Sequence, residues 1–116
     1  MIVYINGSFF TEKNAKVSIF DRGFIFGEGA FSTLRTYNGK IFRLTDHLNR
    51  LFDSCKTLGF KPNYSKKELA LEIEKTFKKS KLKEAKIRVI ITKGIIENFE
   101  KKKKKKYTYN NCFIFT

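Results

Sequence analysis

The chain holds two cysteines, one histidine and only 11 acidic residues among 116. Two thiols, Cys55 and Cys112, are too few for a disulfide framework or a zinc site, and they fit a reducing compartment, the cytoplasm. The single histidine, His47, leaves no serine triad or metal cluster to assemble, and it reads as a helix or hinge residue rather than a general base. Long apolar runs are missing too. Met1 to Ile5 reaches the Asn6-Gly7 turn with no charged leader, so neither export nor a membrane is expected.

The shortage of acids leaves a formal net charge of +14, of which Lys101 to Lys106 supply six, so the rest of the chain carries +8. Blocks of like charge repel and stay solvated, so this run reads as a flexible tail. The other cations are scattered as single lysines such as Lys66, Lys67, Lys75, Lys78 and Lys79. No aromatic-plus-arginine recognition motif accompanies them, and nucleic acid is not an expected partner. A small basic polyanion-binding module is the alternative outside enzymes.

What is present argues for a folded core, with 41% hydrophobic residues and 13 phenylalanines. Disordered chains are poor in both classes. The length suits one domain, small beside most enzymes that handle a cofactor.

Asn6-Gly7 between Val3-Tyr4-Ile5 and Ser8-Phe9-Phe10 predicts a tight hairpin, and Asn38-Gly39 between Ala30–Tyr37 and Lys40–Leu44 predicts a second. Lys16 to Phe20 reads as a short extended piece broken by Asp21-Arg22-Gly23. Thr45 is a candidate cap for a helix from Asp46 to about Leu58, with Leu48, Leu51, Phe52 and Cys55 on its packed face and Gly59 as its stop. Ser65 and Glu68 form a capping-box pattern that opens a helix burying Leu69, Ile73 and Phe77. Lys86 to Thr92 alternates like a strand. The fold class is therefore α+β, an antiparallel sheet with two helices on one face. Cys112 to Thr116 is an apolar end with no identifiable partner, at most an added edge strand.

Two arginines stand out. Arg50 lies off the packed stripe of its helix, where a guanidinium fork suits a phosphate dianion, although an arginine there is also an ordinary surface residue. Arg88 is the polar residue of an alternating strand. Gly27-Glu28-Gly29 is not a dinucleotide fingerprint, since Ser32 occupies the third glycine position.

The run Val17-Ser18-Ile19-Phe20-Asp21-Arg22-Gly23-Phe24-Ile25-Phe26-Gly27-Glu28-Gly29-Ala30-Phe31 resembles the class IV (fold-type IV) pyridoxal-phosphate aminotransferase family. So do Leu34 to Leu44, around Asn38-Gly39, and His47-Leu48-Asn49-Arg50-Leu51. The resemblance runs from residue 1 to about 94, the span of the family's small N-terminal domain. It implies an amino-acid aminotransferase of branched-chain type, working on an amino acid and a 2-oxo acid with pyridoxal phosphate, as a homodimer. Aminodeoxychorismate lyase and D-amino-acid aminotransferase are the alternatives inside the family. By resemblance Arg50 binds the cofactor phosphate, Arg88 receives an acidic side chain, and Phe26 and Phe31 line the substrate site. Phe26 and Lys86 stand where branched-chain enzymes tend to carry tyrosines, and Phe31 where D-amino-acid aminotransferases carry one.

The same resemblance puts the Schiff-base lysine in a larger C-terminal domain, so this chain alone is expected to be inactive, with no catalytic residue of its own. Residues 1–94 are read as the N-terminal domain and 95–116 as an atypical Lys-rich tail, frameshifted or disordered. Six lysine codons imply an adenine-rich tract where a one-base slip changes the frame.

Overall fold

The computed structural model describes residues 1–96 and 110–116. Both expected turns form. Asn6 and Gly7 have φ of 48° and 98°, and Asn38 and Gly39 have 53° and 73°. A type I′ turn needs this left-handed backbone at both central positions, and asparagine and glycine tolerate it best. The first turn joins β1 (Ile2–Ile5) to β2 (Ser8–Thr11), and the second joins β3 (Gly29–Tyr37) to β4 (Lys40–Ile41).

β4 is shorter than expected because Arg43 adopts left-handed φ and ψ of 52° and 43° and swings the chain straight into a helix. That helix, α2 (Leu44–Thr57), starts before Thr45, so the expected threonine cap is replaced by Arg43, whose side chain makes no capping bond. α2 buries Leu48, Leu51 and Cys55, and Gly59 follows with φ of 86°. α3 (Lys66–Ser80) opens with the full reciprocal capping box of Ser65 and Glu68 and buries Leu69, Ile73 and Phe77. β5 is Lys86–Thr92.

Three further segments differ from the sequence reading. Lys16 to Phe20 forms no strand, since the Ser18 carbonyl and hydroxyl accept from the backbone of Asp21 and Phe20 and turn the chain. Next comes a short helix, α1 (Arg22–Phe26), where the sequence reading has only a break at Asp21-Arg22-Gly23. Asp21 caps it by accepting from the Phe24 N–H, and Gly27 ends it at φ of 69°. Gly23 is needed inside α1 for space, because a Cβ there would fall 2.5 Å from Thr92 Cγ2 and 2.8 Å from Asp21 Oδ2. Gly23→Ala is therefore expected to cost about 1–3 kcal/mol through overpacking, read as a lower midpoint in urea unfolding.

The third difference is the largest. Asn111–Phe115 forms a strand, β6, which pairs antiparallel with β1 on one side and β5 on the other. The apolar end is thus neither partnerless nor an edge; Cys112 and Ile114 are fully buried. The lysine run lies in 97–109, outside the described residues.

The sheet order is β2-β1-β6-β5-β3-β4, antiparallel throughout. One face packs Tyr4, Leu34, Ile87, Val89, Ile91 and Ile114 against Leu48, Leu51, Leu69 and Ile73 from α2 and α3. Each such side chain contributes roughly 2 kcal/mol by burial. Tyr4 satisfies its hydroxyl with Tyr64 at 2.7 Å, and burial raises the pKa of both phenols. The α+β class with helices on one face is as read from sequence. No helix among the described residues is long and apolar enough to cross a membrane.

Candidate active site

The sheet face that carries neither α2 nor α3 is where chemistry has room. Strand alternation sends Ala30, Ser32, Leu34 and Thr36 of β3 inward and Phe31, Thr33, Arg35 and Tyr37 outward. Register then sets neighbours: Phe31 is opposite Ile90, Thr33 opposite Arg88, and Ile90 opposite Phe113. The result is an apolar cleft of about 650 Å³ walled by Val3, Ile5, Phe31, Ile90, Phe113 and Phe115. That volume is in the range of small-molecule sites.

At its border Arg88 holds its guanidinium 4.6 Å from the centre of the Phe31 ring. Phe31 is 63% exposed, which rules out a core role. Arg88 is exposed and makes no salt bridge among the described residues. A cation over an aromatic face beside an apolar cleft can take an aliphatic group in the cleft and a carboxylate at its rim. Phe26 stands apart. It ends α1 half-exposed, with Arg22 at 5.6 Å over its ring, and does not wall the cleft.

Asp21, missed as a site-forming residue, lies at the cleft floor, 1% exposed. It accepts from Thr92 Oγ1 at 2.5 Å, Asn111 Nδ2 at 2.7 Å and the Phe24 N–H at 3.2 Å. Asn111 in turn accepts from Asn6 Nδ2 at 2.9 Å, while Asn6 Oδ1 accepts from the Cys112 N–H at 2.7 Å. This chain of bonds ties α1, β5, β6 and the first hairpin turn together. An Asp three residues before the Phe24 amide was its one local signal. The cleft walls from β6 had none, because they depend on where that strand inserts.

Arg50 lies elsewhere. It is exposed on α2, and its Nη2 approaches His47 Nδ1 at 3.3 Å. His47 also meets Ser32 Oγ at 2.9 Å, on the helix-facing side of β3. Burial, and then the Arg50 charge, lower the histidine pKa. Arg50 is therefore on one side of β3, and Phe31 and Arg88 are on the other. β4 pairs only with Thr36 and Tyr37, so residues 29–35 have β5 as their single strand neighbour among the described residues. Both sides can be reached around that edge.

Among the described residues no lysine is buried; Lys93, half-buried, is ion-paired to Glu28 at 3.5 Å. No group of three His, Cys, Asp or Glu residues among them could hold a metal ion. Burial pushes the free thiols up, Cys55 to about 11 and Cys112 to about 12, so neither is a ready nucleophile.

Comparison with known proteins joins these features. A protein of Methanocaldococcus jannaschii assigned as a branched-chain-amino-acid aminotransferase is 40% identical over 95 residues, 82% of this chain and 33% of its own length. A D-alanine aminotransferase of Staphylococcus aureus is 36% identical over 95 residues, 82% of this chain and 34% of its own. The chain thus spans about a third of the curated relatives it matches. The branched-chain aminotransferase of Thermoproteus uzoniensis, solved with norvaline, superposes with a TM-score of 0.83 at 27% identity, covering 98% of this chain and 39% of that one. The Escherichia coli branched-chain enzyme has a TM-score of 0.84 at 24% identity over 98% and 39% of the two chains, a likeness of fold. The amino-transferase class IV family model matches residues 29–110, most of the chain, and the protein belongs to that family.

Proposed function

We propose that the chain is the small-domain part of a pyridoxal-phosphate-dependent amino-acid aminotransferase of branched-chain type, working in the cytoplasm as a homodimer. The observation that carries the substrate side is Arg88 poised over Phe31 at the rim of an apolar cleft. The cleft would take a branched aliphatic side chain and exclude water, and Arg88 would receive the carboxylate of an acidic amino donor. Phe26 would shape the entry to that side rather than its wall.

Arg50 fits a phosphate. It is exposed and has no carboxylate partner among the described residues, so its fork is open to a dianion. Pyridoxal phosphate, when bound, supplies an electron sink for negative charge at the substrate α-carbon. What this chain contributes is the anchoring of that phosphate and the fit of the substrate side chain. With no buried lysine among the described residues, the chain alone would not transfer amino groups.

The test is a chimera joining residues 1–116 to the remaining two thirds of the Methanocaldococcus jannaschii relative. It is expected to form a 2-oxo acid from leucine with 2-oxoglutarate as acceptor, while the chain alone forms none. Arg50→Gln should weaken cofactor retention by about 10- to 100-fold, the worth of one or two charge-assisted hydrogen bonds. Turnover of D-alanine instead would assign the D-amino-acid branch, and release of pyruvate with an aromatic amine the lyase.

A further inference from the structure

We propose that His47, held by Ser32, is a positioning residue that aims the Arg50 guanidinium, an inference that rests on reading Arg50 as the phosphate anchor. The two contacts converge on one atom: His47 Nδ1 lies 2.9 Å from Ser32 Oγ and 3.3 Å from Arg50 Nη2. A guanidinium only donates, so a proton on Nδ1 would set donor against donor. Nδ1 is therefore bare, the ring proton sits on Nε2, and the Ser32 hydroxyl and an Arg50 N–H share the single Nδ1 lone pair as donors, the serine the closer of the two. Ser32 is 6% exposed, packed on the inner side of β3, so this contact fixes the ring to the sheet rather than to the mobile surface.

The consequence falls on Arg50. An exposed arginine has a long, freely rotating stem, and ordering it on binding an anion costs entropy. His47 takes one N–H of the fork in advance and leaves the remaining donors for a dianion, which lowers that cost. The spacing is built in, because residues three apart on a helix are neighbours. The charged groups around the ring are Arg50, Asp46 and Arg43, and β3 presents the uncharged Ser32. Burial, Arg50 and Arg43 hold the imidazole below the usual histidine value, with Asp46 opposing. A lowered value keeps Nδ1 available at neutral pH, and positioning is lost as pH falls through it.

The test uses the 116-residue chain near neutral pH with sulfate as probe, a dianion that cannot react with lysines. Long-range nitrogen–proton spectra of the His47 ring should show Nδ1 bare and Nε2 protonated. Sulfate titrations followed at the Arg50 side chain should weaken about fivefold in His47→Leu and stay within about twofold in His47→Gln, which keeps an acceptor oxygen. Ser32→Ala should leave the fold intact and release the ring to a mixture of tautomers. The proposal is overturned if the proton resides on Nδ1, or if His47→Leu binds sulfate as the unaltered chain does. If Arg50→Gln leaves sulfate binding unchanged, it is the phosphate-anchor reading that fails, and the ring spectrum still decides the positioning contact.

Discussion

Removing residues 110–116 abolishes cooperative unfolding: a urea titration of the shortened chain should show no sigmoidal transition, where the intact chain shows one. β6 sits between β1 and β5, so its loss divides the sheet into β2-β1 and β5-β3-β4 and strips the ladder bonds from two strands at once. It also uncovers Tyr4 and Val89, the neighbours of Ile114 in register. A milder variant calibrates the effect. Ile114 is fully buried, and Ile114→Ala should cost about 2–5 kcal/mol, a large part of the stability of a small domain. A cooperative transition at the unaltered midpoint in the shortened chain would mean that β6 is dispensable.

Asp21→Ala should be the most damaging single substitution, lowering stability by about 3–5 kcal/mol. The carboxyl group is buried and has no cationic partner among the described residues, so its cost of burial is offset by three donated hydrogen bonds. Alanine would leave the Thr92 hydroxyl and the Asn111 amide without an acceptor in a place where water is scarce, while the Phe24 N–H keeps the Asp21 carbonyl at 3.0 Å. Asp21→Asn keeps one acceptor oxygen but points an NH₂ group at other donors, and should cost about 2 kcal/mol. Urea midpoints at an unchanged slope measure both. A loss below about 0.5 kcal/mol in Asp21→Ala would show that the bonds are replaced by water.

Local chemistry explains which parts of the fold were legible. Asn-Gly pairs, the Ser65 to Glu68 box and the alternation of Lys86 to Thr92 carry their geometry in adjacent residues, and each formed where expected. Cys112 to Thr116 failed as a reading because an edge strand and a central one share the same short apolar text; the difference lies in partners far away in sequence. Arg43 failed for another reason, since an arginine, unlike the asparagines of the two turns, carries no local signal for positive φ. In the site, Phe31 and Arg88 sit side by side because strand register placed them so, a relation that alternation hinted at. Ser32 meeting His47 had no such hint: a strand residue and a helix residue come together only once α2 docks on β3.

The central place of β6 also sets the order in which this sheet can be assembled. A growing chain emerges N-terminus first, so β1, β3 and β5 with both long helices appear before the piece that joins them. Val3 must wait for Phe115, its partner in register from far along the chain. Contacts of such separation are slow to form and leave sheet edges uncovered meanwhile. Until β6 has emerged, the two halves of the sheet present open ladders to each other and to any neighbour, edges that invite pairing with the wrong strand.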